Sequence, residues 1–268
     1  MFKKLILLLL LASLFATSCS KYQRLKKSTD YEEKYQMAFV YYNQGDYFRA
    51  IELLESLIPF FRGTERAENI AYHYAFAHYY QKDYILASFY FKRFISSFPR
   101  SKHVEECTFM SAYCKYLDSP KYSLDQSNTQ EAIQELQLFI NKFPQSERVA
   151  EANQLIDSLR SKLEHKAMEI ARLYYRMGNY TAAITSFKNL LRDFPDTDFR
   201  EEVMFTILKA HHDFAVKSIE TKKQERFEEA LEAYDNFTAQ FPDSTYAREA
   251  ARIQQSISNQ LNSLANQT

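Results

Sequence analysis

Few side chains in this 268-residue sequence have the types and spacing that chemistry requires. His211 and His212 are adjacent, so on a helix they point about 100° apart and make a poor pair of metal ligands. Glu105 with Glu106, and Glu228 with Glu229, are likewise neighbours rather than facing carboxylates. Cys107 and Cys114 would stand roughly 10 Å apart along one helix, too far for a disulfide, and read as two buried thiols. Three glycines leave no phosphate cradle and no nucleophile elbow. The chain therefore reads as a non-enzyme, with no cofactor and no metal expected. Lys plus Arg and Asp plus Glu number 34 each, so no basic surface recommends nucleic acid as a partner.

One thiol does suggest chemistry. Lys3 and Lys4 precede the apolar run Leu5 to Leu11, and small residues continue to Ser18, the pattern of a secretory signal over residues 1–18. The stretch "LFATSCS" then resembles the bacterial lipobox, in which the cysteine, here Cys19, is acylated and becomes the new N-terminus. Ala16 departs from the Leu usual three positions before it. Several acyl chains, at about 0.8 kcal/mol per buried methylene, would hold the protein on a membrane where one would not. Ser20, being other than Asp, matches an outer-membrane address under the enterobacterial sorting rule. Residues 19–30 are then expected to be a lipidated tether. The alternative is an ordinary signal peptide with an incidental cysteine.

The elements that must position any binding surface are helices, and they repeat. "FPRS", "FPQS", "FPDT" and "FPDS" begin at Phe98, Phe143, Phe194 and Phe241. Upstream lies a shared grammar: "YYNQGDYFRAIELL", "YYQKDYILASFYF" and "YYRMGNYTAAITSF". Each unit reads as helix, tight turn, helix and stop. Ala183, Phe187 and Leu190 recur at helical spacing, and Ala50, Ala87, Ala132, Ala183 and Ala230 occupy one small position where paired helices approach. Proline ends each second helix, and the following Ser or Thr can cap the next. Tyr41, Gly45, Tyr47 and Ala50, and Tyr174, Gly178, Tyr180, Ala183, Phe187 and Pro195, resemble the tetratricopeptide signature. The period of roughly 45 to 50 residues exceeds the standard 34, with insertions at Leu117 to Asn128 and Ile219 to Arg226. The expected fold is all-α, a right-handed solenoid of about five hairpins: units one to three over 31–163, units four and five over 164–260, and a tail at 261–268.

In such an array the first helix of each hairpin lines the hollow. Its positions are Tyr35, Phe39 and Tyr42 in unit one, Tyr72, Phe76 and Tyr79 in unit two, and Phe109, Tyr113 and Tyr116 in unit three. These rings would suit an extended or amphipathic peptide, although aromatic stripes at helical spacing also build cores. Unit four offers His165, Met168, Arg172, Tyr175 and Arg176, a polar and cationic set that could meet a carboxylate-bearing partner or remain a solvated face.

The lipobox, the five units, the long insertion in the third, "YYRMGNYTAAITSFKNLLRDFPDT" and "NKFPQSERVAEANQLIDSLRSKLEHKAMEIA" together resemble the BamD family of outer-membrane lipoproteins. That resemblance implies a non-enzymatic scaffold on the periplasmic face of the outer membrane. It implies binding of a BamA-type barrel protein through the C-terminal half, work beside other assembly-machinery lipoproteins, and engagement of unfolded outer membrane proteins near the N-terminal half. Two other readings stay open: a Tol-Pal associated periplasmic repeat protein, and a glycan-binding surface lipoprotein, the latter disfavoured by the absence of Trp.

Overall fold

The computed structural model describes residues 21–266, so Cys19 and the expected signal peptide lie outside the described residues. Every regular element among the described residues is helical. The chain is helical over 21–27 (α1) and continues through α2 (Tyr31–Asn43), α3 (Tyr47–Leu57), α4 (Glu65–Tyr80), α5 (Tyr84–Ser97), α6 (Val104–Leu117) and α7 (Ser127–Lys142). Then follow α8 (Val149–Arg176), α9 (Tyr180–Asp193), α10 (Arg200–Val216), α11 (Glu220–Gln240) and α12 (Ala247–Ala265). Consecutive helices pair as the hairpins α2 with α3, α4 with α5, α6 with α7, and α10 with α11. Met168 and Ala171 of α8 share a core with Ala183, Phe187 and Leu190 of α9.

Two local devices make these hairpins. The tight turn needs a left-handed residue, supplied by Gly45 (φ 77°), Lys82 (φ 63°) and Gly178 (φ 74°). Asp46, Asp83 and Asn179 follow it and cap the next helix, their side chains accepting from the N–H of Arg49, Leu86 and Ala182. The Phe-Pro stop is equally regular. Phe98, Phe143, Phe194 and Phe241 all leave the helix at φ between −128° and −132°, each N–H still donating to the carbonyl four residues back.

The hydroxyl that follows each stop has two partners. Ser101, Ser146, Thr197 and Ser244 accept the N–H of His103, Arg148, Phe199 and Tyr246, just before the next helix. The same hydroxyls donate to Glu68, Glu105, Glu164 and Glu201, each near the start of the hairpin's own first helix or one turn inside it, except that Glu164 lies midway along the long α8. Each stop is thus tied both backward and forward.

Packing follows from the small position. Ala50, Ala87, Ala132, Ala183 and Ala230 have no exposed surface, which allows close helix approach. The chain divides into two compact units, one ending at Leu159 and one beginning at Arg160, with the boundary inside α8. In the first, Phe91, Phe94, Phe109, Phe139 and Leu136 form the larger core, and Leu53, Leu54, Leu57 and Ile70 a second. In the second, Phe205, Leu208, Phe227 and Phe237 pack together. Cys107 and Cys114 are free and buried, and burial pushes both thiols up to about 12, which keeps them protonated and inert.

Two segments differ from the sequence expectation, and one insertion finds its place. Residues 21–27, placed in the tether, are helical, with Tyr22 and Leu25 buried on one face against the α2–α3 hairpin. This segment covers one flank of the first described hairpin. Residues 261–265, placed in the tail, complete α12, where Leu261 and Leu264 pack on the second unit's core. The insertion at Ile219 to Arg226 lengthens α11, helped by Lys223 with Glu220 and Lys222 with Glu225.

Candidate functional site

The first helices α2, α4 and α6 carry rings at spacings of four and three, which keeps each set on one helical face. Stacking the hairpins brings these faces into one run of ring contacts. Tyr35 meets Phe39 at 4.8 Å, and Phe39 meets His73 at 4.9 Å. His73 also contacts Tyr42 at 4.9 Å and Tyr72 at 5.2 Å. Tyr72 lies 4.7 Å from Phe76, which reaches Tyr79 at 6.4 Å. Tyr79 meets Tyr113 at 6.4 Å, and Tyr113 stacks on Tyr116 at 5.9 Å. No link in that series is missing.

The residues are not equally available. Tyr35, Phe39, Tyr42, Tyr72, Tyr79, Tyr113 and Tyr116 are half-buried, presenting part of each ring. Phe76 and Phe109 are core residues, at 7 % and 1 % exposed, and leave the list of surface positions. Phe76 is closed off by Phe91 at 4.9 Å, and Phe109 by Phe139 at 5.3 Å with the Arg148 guanidinium over its ring at 4.4 Å. They form the floor on which the tyrosines rest.

Burial keeps the rings of this face uncharged. Burial raises the Tyr42, Tyr72, Tyr79 and Tyr113 hydroxyls above the usual phenol range, and for Tyr72 the hydrogen bond to Glu106 (2.7 Å) adds to it. These groups remain protonated donors. Burial lowers His73, whose Nδ1 sits 2.8 Å from the Asn69 carbonyl, so the proton belongs on Nδ1 and Nε2 is left as an acceptor. The face therefore combines apolar surface with a few neutral polar atoms, a chemistry suited to polypeptide. His73 and the exposed Tyr80, stacked on Tyr47 at 4.8 Å, were missed from sequence. Their position beside Tyr72 and Tyr79 in "AYHYAFAHYY" was the available signal.

The second unit's candidate positions behave differently. Met168 is buried at 2 %, a correction to its place on the surface, because it packs with Ala171 and Phe187. Arg172 is held by Glu202 and by Glu169 at 3.1 Å, and the Glu202 hydrogen bond raises its affinity for the proton further. Tyr175 donates to Asp213 at 2.7 Å. His165 and Arg176 are exposed. The positions do not form a free cationic patch: Arg172 is already matched by carboxylates. A cleft of about 350 Å³ lies elsewhere in this unit, lined by Lys188, Ile207, His211, Glu229 and Glu232. His211 is 8 % exposed, and its Nδ1 has no hydrogen-bond partner.

Among the described residues no group of His, Cys, Asp and Glu could hold a metal ion, and no helix is long and apolar enough to cross a membrane. Helical hairpins closed by Phe-Pro stops, with a neutral aromatic face and no assembled catalytic group among the described residues, define a helical-repeat protein. The chain belongs to the YfiO family of outer membrane lipoproteins, which it matches over residues 27–226. It is also similar to the outer membrane protein assembly factor BamD of Caulobacter vibrioides, 28 % identical over 102 residues. That match covers 38 % of this chain and spans only about a third (33 %) of the relative. Two solved structures align more widely at lower identity. The TPR2AB-domain:pHSP90-complex of yeast Sti1 is 11 % identical, with a TM-score of 0.39 over 85 % of this chain and 98 % of that one. A TPR repeats protein from Bacteroides fragilis is 14 % identical, with a TM-score of 0.41 over 90 % and 100 %.

Proposed function

We propose that this protein is a non-catalytic scaffold of outer membrane protein assembly, anchored by lipid at Cys19 on the periplasmic face. On this reading the half-buried tyrosines and Phe39 of α2, α4 and α6 hold unfolded outer membrane protein precursors. The second unit, through exposed His165 and Arg176, meets a BamA-type barrel protein beside the other lipoproteins of the machinery. Family membership and the name of the Caulobacter relative support the assembly role. The observation that carries the client-binding role is the uninterrupted ring contact from Tyr35 to Tyr116.

The test uses the triple variant Tyr35→Ala, Phe39→Ala, Tyr42→Ala, in which no residue is fully buried. Affinity for barrel-precursor peptides should fall at least about tenfold, the scale set by losing aromatic anchors, while helicity is retained. Unchanged affinity in a titration would remove the client role. A photocrosslinker at Arg176 should capture a periplasmic domain of a barrel protein, and recovery of peptidoglycan-associated proteins instead would favour the Tol-Pal reading. Cys19→Ala should release the protein from membranes.

A further inference from the structure

The chain enters the fold at a fixed place. Tyr22 donates its hydroxyl to Glu52, its ring stands edge-on 5.8 Å from Tyr41, and the Arg49 guanidinium lies over both rings at 5.2 and 5.4 Å. Lys26 adds an ion pair to Glu52 at 2.6 Å. Tyr41 is in the last turn of α2 and Arg49 in the first turn of α3, so residue 22 is held beside the α2–α3 turn. Only Ser20 and Lys21 lie between Cys19 and Tyr22, and the three steps from one Cα to the other span at most about 11 Å. An acyl group on Cys19 would therefore bring the bilayer to this turn rather than to the end of a long leash.

That edge of the first unit is apolar. Phe48 is 63 % exposed, Tyr80 47 %, Ile85 67 % and Leu86 40 %, all at or beside the α2–α3 and α4–α5 turns. Tyr47 stacked on Tyr80 joins these two turns. A small cleft lined by Tyr84, Ile85, Asp118 and Asn128 joins the second to the α6–α7 loop, where Leu124 is 58 % exposed. Towards the opposite edge, where the Phe-Pro stops lie, the exposed large hydrophobics are more scattered, Phe60 after α3 and Leu138 in the second half of α7. A contiguous apolar edge on a folded protein marks a contact surface.

We propose that this edge contacts the membrane, with Phe48, Ile85 and Leu86 entering the boundary between headgroups and acyl chains of the bilayer that holds Cys19. The inference rests on the lipidation proposed above. At these two turns the cations Arg49 and Lys82 are matched in number by the capping carboxylates Asp46 and Asp83, so apolar insertion rather than attraction to anionic lipid is the driving term.

The chain contains no Trp, so a single introduced Trp reports its own surroundings. Phe48→Trp, Ile85→Trp and Leu138→Trp, the last 64 % exposed on α7 and away from the turns, are prepared in the lipidated full chain and reconstituted in phosphatidylcholine vesicles with brominated acyl chains. The first two should shift to the blue, lose most of their emission to bromine and resist aqueous iodide, while Leu138→Trp stays open to iodide. If all three remain iodide-accessible while the protein floats with the vesicles, the edge proposal is wrong and the anchor stands. If no acyl mass is found on Cys19 and the protein does not float, the anchor and this proposal both fall.

Discussion

Acidification should weaken the fold through one side chain, His211. Its imidazole is 8 % exposed, its Nδ1 lacks a hydrogen bond, and Lys188 disfavours a second positive charge, so its pKa falls from 6.5 to about 4. Glu232 opposes this only weakly. Glu229 Oε2 lies 3.5 Å away without forming a hydrogen bond, and its carboxylate is 48 % exposed and spends its charge on water. The unfolded chain takes up the proton near 6.5 whereas the folded chain refuses it until about 4. Stability is therefore present above 6.5, drains away as pH falls through the window from 6.5 to about 4, and levels off below it. At about 1.4 kcal/mol per pH unit the whole window is worth roughly 3 kcal/mol, and going from about pH 7.5 to about pH 5 costs about 2 kcal/mol. Urea unfolding at the two pH values measures it. His211→Leu removes the titration, so the difference in pH dependence between wild type and variant isolates this group from His73 and His78, which burial also lowers. Equal pH dependence in both proteins, or a His211 titration near 6.5 by NMR, would refute the reasoning.

Phe109→Ala should cost about 3 to 5 kcal/mol in thermal or denaturant unfolding, because a fully buried ring is lost between Phe139 and Arg148. A variant of wild-type stability with weakened peptide binding would return Phe109 to the surface. Lys82→Gly should stabilise by about 0.5 to 1 kcal/mol, since the left-handed turn position occupied by Gly45 and Gly178 strains a residue with a Cβ; a lower unfolding midpoint would contradict this. Ser146→Ala and Glu105→Ala should show a coupling of about 1 kcal/mol in a double-mutant cycle, and simple additivity would mean the hydroxyl tie contributes nothing.

The hairpins were legible because their signals are local. A capping Asp or Asn after a left-handed residue, a small Ala and a Phe-Pro stop each act within a few residues. Even the turn without glycine, at Lys82, was recognisable from the Asp83 and Tyr84 that follow it. What local pattern could not supply was the environment. Phe39 and Phe76 occupy the same repeat position, yet Phe39 stays half-buried whereas Phe91 closes over Phe76. Arg172 read as a free cation because Glu202, its partner, belongs to the next hairpin. The helix at 21–27 was hidden for a related reason: two apolar residues, Tyr22 and Leu25, declare a face only when the flank they cover is known.

The joints between hairpins have a uniform length. From Phe98 to Val104, Phe143 to Val149, Phe194 to Arg200 and Phe241 to Ala247 the step to the next helix is six residues each time. Neither insertion falls in such a joint: Leu117 to Asn128 makes the connection between α6 and α7, and Ile219 to Arg226 extends the start of α11. A joint whose hydroxyl must reach a carboxylate on one side and a backbone amide on the other has no slack for an added residue, whereas at the α6–α7 tip Ser119 with Thr129 and Asn128 with Asp118 tie the base of the loop and residues 121–125 beyond them are exposed. Anyone wishing to graft an epitope or a label into this scaffold should therefore choose the tip between α6 and α7, and expect a single extra residue after a Phe-Pro pair to do more damage than a dozen there.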